Sequence, residues 1–195
     1  MTETDDRLAS VLADAQRLGL IGPGPIAAAV EHARRFAAAT PAGAELALDL
    51  GSGGGLPGLV VAVECPEMRL VLLDASERRT TWLGRAVHRL GLGNRVEVVA
   101  SRAEEFGRDP ARRGAFDAVY ARGFGPPAVT AECAAPLLRV GGTLIVSEPP
   151  TRDEARWDRD WLEALGLARV ASPPGLACFR QAKPCPSRFP RHRVR

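Results

Sequence analysis

The sequence has no long apolar run, few aromatic residues and no paired cysteine motif. Aromatic residues make up 5% of its 195 residues, and its four cysteines (Cys65, Cys133, Cys178 and Cys185) are too far apart to form a CxxC pair. This spacing argues against a zinc site and against a disulfide framework, so we expect reduced, mostly buried thiols. No run approaches the roughly 18 apolar residues of a membrane span, and the N-terminus MTETDDRLAS is acidic where a secretory signal is basic and then apolar. We therefore expect a soluble, cytoplasmic protein with no metal site and no membrane partner.

Positive charge is concentrated at the C-terminal end. From Arg180 onward there are six basic residues and no acid, whereas the preceding chain has 20 basic and 23 acidic residues. Such an end suits an anionic partner such as RNA, and it is equally typical of a solvated, frayed terminus. The sequence leaves both interpretations open.

The periodicity of apolar residues predicts an α/β fold. Two alanine-rich segments with helical spacing, 5–18 and 25–39, precede five short apolar runs that begin about 20 to 28 residues apart, at 46–50, 70–73, 96–99, 116–120 and 144–146. Strands that alternate with helical segments indicate βαβ units and a doubly wound, mostly parallel sheet buried on both faces. We expect a single domain over 1–195, with an N-terminal helical extension (1–44), a ligand-binding core (45–182) and a basic tail (183–195).

Two further segments, one after the second strand and one after the fifth, have recognisable secondary-structure patterns. Residues 76–90 have the pattern of a helix, with Ser76 as its N-cap and Gly91 just past its end. After the fifth strand we expect a helix over 153–165 and two short strands, 167–171 and 176–180, separated by Ser-Pro-Pro-Gly. This turn predicts an antiparallel hairpin at the edge of the sheet.

The most informative motif is DLGSGGGLPG, residues 49–58, directly after the first strand. Glycines at this position let the backbone approach a ligand at the carboxyl end of the sheet, so we expect a nucleotide-like cofactor. The stretch also spells the dinucleotide motif GxGxxG, but that frame begins three residues beyond the strand, and Asp49 would lie near a pyrophosphate. Asp74 ends the second strand, 23 residues after Gly51, where a carboxylate can accept hydrogen bonds from both ribose hydroxyls.

Starting from Asp49, the loop is DxGxGxG, which resembles the first motif of class I S-adenosylmethionine-dependent methyltransferases. With LLDASERRTTWL, NRVEVVASRAEEF, FDAVYARGF and PLLRVGG in the same order, residues 46–142 resemble the RsmG/GidB family, and PSRFPR near the end is a weaker match. The resemblance implies a Rossmann-like fold, S-adenosyl-L-methionine as cofactor, and methylation of N7 of a guanine in small-subunit ribosomal RNA. The partner it implies is that RNA or a ribosomal particle, and we expect the protein to be a monomer.

The resemblance also assigns roles within the glycine loop. It implies that Gly51, Gly53 and Leu56 bind the cofactor, with Gly51 and Leu56 on its methionine side. In class I methyltransferases the acid at the position of Asp49 helps to hold the positive amino acid end of the cofactor. Asp74 would bind the ribose.

Three residues beyond the loop complete the implied site. Ala103 and Glu104, after the third strand, would contact the adenine. Arg122, at the end of the fourth strand, would face the place where cofactor and target meet, and it is the implied catalytic residue. Because guanine N7 carries a free lone pair and loses no proton, the reaction needs alignment of the reacting atoms and exclusion of water but no general base.

The sequence departs from the family pattern at three places, and two of these departures keep alternatives open. The fifth strand is followed by Ser147-Glu148-Pro149, where the family has a lysine and a glycine, and the reduced N-terminal region keeps only His32 of a His-Asp-Ser motif. One alternative is a paralogous methyltransferase that acts on a small metabolite, with Glu148 shaping a different pocket. The other is a non-catalytic RNA-binding module that uses the basic tail.

Overall fold

The computed structural model describes residues 3–149 and 154–192. Its helices are α1 (Glu3–Arg17), α2 (Ile26–Ala39), α3 (Gly58–Glu64), α4 (Glu77–Arg89), α5 (Ala103–Phe106), α6 (Pro127–Ala134) and α7 (Arg159–Ala164), and a 3₁₀ turn covers Glu154–Arg156. Its strands are β1 (Leu46–Leu50), β2 (Arg69–Asp74), β3 (Val96–Ala100), β4 (Phe116–Ala121), β5 (Leu138–Ser147), β6 (Leu167–Val170) and β7 (Leu176–Gln181). Among the described helices, none combines the length and the apolar character that a membrane crossing requires.

The strands form one sheet in the order β3-β2-β1-β4-β5-β7-β6. Strands β1 to β5 are parallel, and β7 pairs antiparallel with both β5 and β6. This confirms the predicted doubly wound α/β fold with a C-terminal antiparallel hairpin. The strand order reverses between β1 and β4, and in open parallel sheets the ligand crevice lies at the carboxyl ends of the strands beside this reversal.

Alternate residues of the central strands belong to two separate cores. In β1, Ala47 belongs to the cluster that includes α1 to α4, whereas Leu48 and Leu50 belong to the cluster that includes α5 to α7. This division follows from the opposite orientation of successive side chains along a strand. Both faces of the sheet are therefore covered by helices, which explains the continuous apolar runs in the sequence.

The two predicted N-terminal helices are present, as α1 and α2. The buried residues of α1 recur at helical spacing, and they are Leu8, Val11, Leu12 and Ala15. The connection from α1 to α2 is held by the Gln16 side chain, whose Nε2 donates to the carbonyl oxygens of Gly22 and Gly24, both at 2.9 Å. This connection therefore has a defined shape, which matters for the site below.

One of the predicted local features was wrong, and another was right in position only. The single helix expected over 153–165 is divided into the 3₁₀ turn and α7, because Asp158 caps α7 by accepting from Trp161 N at 3.0 Å; Asp153 lies outside the described residues. Ser76 occupies the N-cap position of α4, as predicted, but its hydroxyl makes no capping hydrogen bond. Instead Asp74 Oδ1 accepts from Ser76 N at 2.9 Å.

The C-terminal segment through residue 192 is docked on the protein rather than frayed. Phe189 is 4% exposed and belongs to the second core cluster. Arg191 forms an ion pair with Glu132 of α6, so one of the six basic groups from Arg180 onward is neutralised within the protein. Arg193 and Arg195 lie outside the described residues.

Candidate functional site

The glycine-rich loop joins β1 to α3 at the carboxyl edge of the sheet. The amides of Gly51 and Ser52 both donate to the carbonyl oxygen of Leu73 in β2, at 2.8 and 2.9 Å, and so turn the chain across the end of β2. Gly54 lies against the α1–α2 connection, because a Cβ on Gly54 would lie 2.6 Å from Ile21 Cγ1 and 2.7 Å from the Leu20 carbonyl oxygen. Any side chain at position 54 would separate the loop from the N-terminal helices.

Asp49 lies in β1, one residue before the loop, and is fully buried. Its Oδ2 accepts from Gly58 N at 3.0 Å, and a Cβ on Gly58 would lie 2.5 Å from the same oxygen, so only glycine permits this approach. Its Oδ1 is buried and has no hydrogen-bond partner. Burial raises the pKa of the Asp49 carboxyl to about 7, although the Gly58 amide and the nearby Ser52 hydroxyl lower it. A buried acceptor is thus left open at the ligand end of β1.

Arg122 follows β4, the strand that pairs with β1. Its Nη1 is buried and also lacks a hydrogen-bond partner. Burial lowers the pKa of the Arg122 guanidinium, and the charge of Asp49 acts in the opposite direction. The charges of Asp49 and Arg122 thus interact, yet neither unpaired atom is satisfied within the described residues. An unpaired acceptor and an unpaired donor of this kind match the ammonium and carboxylate groups of a ligand with an amino acid end.

Asp74, at the end of β2, has a different environment. It is 5% exposed, and both of its oxygens accept hydrogen bonds from the protein. Oδ2 accepts from Gly53 N at 3.0 Å, Oδ1 accepts from Ser76 N at 2.9 Å, and Arg79 Nη1 lies 3.4 Å from Oδ2. Because each carboxylate oxygen has a second lone pair, the group fixes the loop and can still accept from a ligand hydroxyl.

A cavity of about 250 Å³ opens beside Asp74. Its lining comes from the ends of β2, β3 and β4 and from the helices that follow, and consists of Gly51, Leu73, Asp74, Ala75, Ser101, Arg102, Ala103, Glu104, Phe124, Val129 and Cys133. Glu104 is buried, and its carboxylate accepts from Arg102 Nη2 at 3.1 Å. The pKa of the Cys133 thiol is raised to about 12 by burial, so this thiol is not a nucleophile.

A second cavity, of about 290 Å³, is lined by Arg122. The rest of its lining comes from the end of α1, the α1–α2 connection and the first half of α2, including His32. His32 Nε2 lies 2.9 Å from Ser147 Oγ, which joins α2 to the end of β5. The pKa of His32 is lowered by burial and by the nearby Arg122 and Arg35 charges, so the imidazole is neutral at pH 7. Within residues 3–149 and 154–192, no three His, Cys, Asp or Glu side chains are grouped as metal ligands.

A sequence model of the GidB family, described as rRNA small subunit methyltransferase G, matches residues 29–165. The chain belongs to the GidB family. This membership confirms the resemblance and extends it beyond residues 46–142 to α2, which carries His32.

Two curated relatives and one solved structure illustrate the match. The chain is 37% identical to the ribosomal RNA small subunit methyltransferase G of Prochlorococcus marinus (strain MIT 9313), over 74% of this chain and 63% of that protein. It is 40% identical to the protein of the same name from Synechococcus elongatus, over 64% of this chain and 48% of that protein. The chain therefore spans about half to two thirds of the length of these relatives. Its fold is similar to that of a cofactor-bound protein from MTB, with a TM-score of 0.65 and 22% identity over 91% of this chain and 90% of that one.

For this GidB family member, the structure brings four of the seven predicted site residues to the first cavity, namely Gly51, Asp74, Ala103 and Glu104. Gly53 lies in the loop and donates to Asp74. Leu56 is buried in the first core cluster and is not among the lining residues, while Arg122 lines the second cavity.

Sequence reasoning missed seven of the eleven residues that line the first cavity, and Phe124 and Cys133 illustrate why. Phe124 follows β4 within the AR-x-F motif, and its position after a central strand is a usable signal. Cys133 lies on α6 and reaches the cavity through packing of helices, which no local pattern indicates. Both residues reach the cavity because of where the strand order places their segments, and their residue types do not indicate this.

Glu148, the departure from the family pattern, is neutralised inside the protein. Its Oε1 accepts from Trp157 Nε1 at 2.9 Å, and Arg156 Nη1 lies 3.4 Å from Oε2. The side chain is only 4% exposed and lines neither of the two cavities. The observation that suggested a different substrate pocket is therefore explained by a local contact between β5 and the segment before α7.

Proposed function

We propose that this protein transfers a methyl group from S-adenosyl-L-methionine to N7 of a guanine in small-subunit ribosomal RNA, in the cytoplasm. The observation that carries the proposal is the pair of unsatisfied buried groups, Asp49 Oδ1 and Arg122 Nη1, beside the strand reversal of a GidB family fold. A dinucleotide cofactor would bring a pyrophosphate to the buried Asp49 carboxylate, whereas an amino acid end brings an ammonium group. The names of the relatives support the RNA substrate.

The residues present fit this cofactor as two groups, one for its amino acid end and one for its adenosine end. Asp49 would accept from the ammonium group of the methionine end, and Arg122 would donate to its carboxylate. Asp74 would accept from the ribose hydroxyls, with Ala103 and Glu104 next to the adenine in the first cavity. When bound, S-adenosylmethionine supplies an electrophilic methyl group.

The chain's own residues then have few chemical roles. Guanine N7 attacks with its lone pair and loses no proton, so none of the cavity-lining groups Asp74, Glu104 and His32 has to act as a general base. A donor directed at N7 would occupy that lone pair, so Arg122 cannot contact N7 during transfer and is restricted to O6, a phosphate or the cofactor. The protein must hold the base in line with the methyl group and exclude water.

The neutral state of His32 also suits this chemistry. Transfer to N7 leaves a positive charge on the purine ring, and a second cation next to it would oppose that charge. The uncharged imidazole, held by Ser147, borders the second cavity without adding to the charge of Arg122.

The test is transfer of labelled methyl from S-adenosylmethionine to small ribosomal subunits, and to their isolated rRNA, from a strain that lacks this gene. Mass spectrometry of the digested RNA should identify 7-methylguanosine, and the Asp49→Asn protein should form none. Methylation of another nucleoside would overturn the N7 assignment. Binding of S-adenosylhomocysteine without transfer to either RNA would overturn the substrate, and RNA binding without any binding of S-adenosylhomocysteine would make the protein a non-catalytic module.

A further inference from the structure

The segment after β7 is fastened to α6 by an ion pair whose carboxylate, on Glu132, is buried and whose Arg191 side chain is half-exposed. We define residues 185–191 as the C-terminal strap. At its end, Arg191 donates to the Glu132 carboxylate from its backbone N at 2.9 Å, from Nε at 2.9 and 3.2 Å, and from Nη2 at 2.6 Å. The Glu132 side chain has no exposed surface. A carboxylate buried in this way needs its partner, so Arg191 determines where this part of α6 can lie.

The same strap is fastened to α5 and the segment that follows it. Pro190 packs against Gly107, the residue that ends α5. Arg113 Nη1 donates to the carbonyl oxygens of both Gly107, at 3.0 Å, and Phe189, at 2.6 Å, and Arg108 Nη1 donates to that of Arg191 at 3.1 Å. The strap thus bridges two helices that are not joined to each other directly in the chain.

These two helices form one wall of the first cavity. Ala103 and Glu104 belong to α5, and Val129 and Cys133 belong to α6. Glu132, which Arg191 holds, is the neighbour of Cys133. The contacts of the strap therefore lie directly behind the wall that is predicted to receive the adenine.

We propose that the C-terminal strap sets the separation of α5 and α6, and that Arg191 is a positioning residue for the adenine end of the cofactor. The inference rests on the proposed function, because it takes Ala103 and Glu104 to contact adenine. It also gives the basic C-terminal residues different roles. Arg191 serves the cofactor cavity, whereas Arg188, which lies over the Phe189 ring at 4.9 Å, forms no ion pair with any described residue. Arg188 supplies the matched control, since it lies in the same strap and carries the same charge.

The test uses the full chain and two ligands that differ only in adenine. Calorimetry would measure S-adenosylhomocysteine, and competition would measure S-ribosylhomocysteine, which keeps the ribose and the amino acid end. We expect Arg191→Met and the charge-free double variant Glu132→Gln/Arg191→Met to bind S-adenosylhomocysteine about tenfold more weakly, within the range typical of coupled sites. Binding of S-ribosylhomocysteine should stay within about twofold of the parent value, and Arg188→Met should bind both ligands as the parent does.

Each contrary outcome has a distinct meaning. Parent-like binding of S-adenosylhomocysteine by folded Arg191→Met overturns the positioning role, as does an equal loss for both ligands, which reports a general loss of structure. The double variant leaves no unpaired buried charge, so its thermal unfolding shows whether the fold is retained. If the parent protein binds neither ligand, the proposed cofactor itself is wrong and the strap's role falls with it.

Discussion

Asp49, next to last in β1, and Asp74, last in β2, lie at the carboxyl ends of neighbouring parallel strands and are both buried. The protein completes their hydrogen bonding to different extents. Asp74 accepts from two backbone amides, one on each oxygen, and has Arg79 nearby. Asp49 accepts one hydrogen bond from Gly58, and its other oxygen has no partner. The comparison indicates that Asp74 both holds the loop and contacts the ligand, whereas the unpaired oxygen of Asp49 is available only to a ligand. Substitutions at the two positions should therefore differ in which part of the ligand they affect.

The largest effect is expected from Asp49→Asn. Loss of one partner from a buried charged contact costs about 3–5 kcal/mol, so the Kd for S-adenosylhomocysteine should rise by more than about 100-fold. Calorimetry at pH 8 measures this change. The control ligand is 5′-methylthioadenosine, which lacks the amino acid end and should keep its parent affinity. An equal loss for both ligands would contradict the assignment of Asp49 to the ammonium group.

Arg122→Met should give the next largest effect. The Kd for S-adenosylhomocysteine should rise about tenfold, and the Kd for 5′-methylthioadenosine should not change. We expect less than for Asp49 because Arg122 is only partly buried, and water screens part of its interaction. The measurement is the Kd for each ligand, together with the rate of methyl transfer at saturating cofactor. A slower transfer with unchanged Kd would instead support the catalytic role that the family resemblance implies for Arg122.

Asp74→Asn should weaken the binding of both ligands by a similar factor, about tenfold, because both ligands contain the ribose. It should also lower the free energy of unfolding by about 1–2 kcal/mol, since the Gly53 and Ser76 amides lose a charged acceptor. Chemical denaturation of the ligand-free protein checks the second value. If the variant lost affinity for S-adenosylhomocysteine alone, Asp74 would act on the amino acid end as Asp49 does, and the proposed difference between the two carboxylates would be wrong.

The smallest expected effect is on pH dependence. With the pKa of Asp49 at about 7 in the ligand-free protein, its ionised fraction and hence the affinity for the ammonium group should rise about threefold between pH 6.5 and 7.5. Because this pKa lies above the ordinary value of 3.8, the folded ligand-free protein holds a proton that the unfolded chain has released. Its stability should therefore fall from about pH 4 to about pH 7 and then level off.

Titration in two buffers with different heats of ionisation checks this prediction. Below pH 7, binding should release a proton from Asp49, and the Asp49→Asn protein should show neither the proton release nor the slope of affinity with pH. A parent protein whose affinity is constant over this range would show that Asp49 is already ionised without ligand.

The fold was largely predictable because each central strand is a short apolar run and each run is followed by a helical segment. Strand β1 was predicted with its observed bounds, and the glycine loop was placed correctly at its end. The helix over 153–165 was wrong because Asp158 begins a new helix, and this local capping competes with apolar periodicity.

The parts of the site that depend on distant contacts were not predictable. The Glu132–Arg191 pair spans 59 residues and makes part of a nominally basic tail into a structural element. The relation between Asp49 and Arg122 arises only because β4 pairs with β1, and no pattern in either segment indicates that both side chains keep an unpaired buried atom. The sequence indicated which residue types belong to the site, but only the order of the strands shows which of these residues lie close together.

The contact of Gly54 with Leu20 and Ile21 has a consequence for synthesis of the chain. Helices α1 and α2 leave the ribosome before the glycine loop, and their buried residues share a core cluster with α3 and α4, which follow it. Until those later residues emerge, the connection between the first two helices has the hydrogen bonds of Gln16 but lacks its contact with Gly54. The ligand loop and the N-terminal helices thus mature as one unit, so a change at Leu20 or Ile21 would alter the loop although neither residue lies within it.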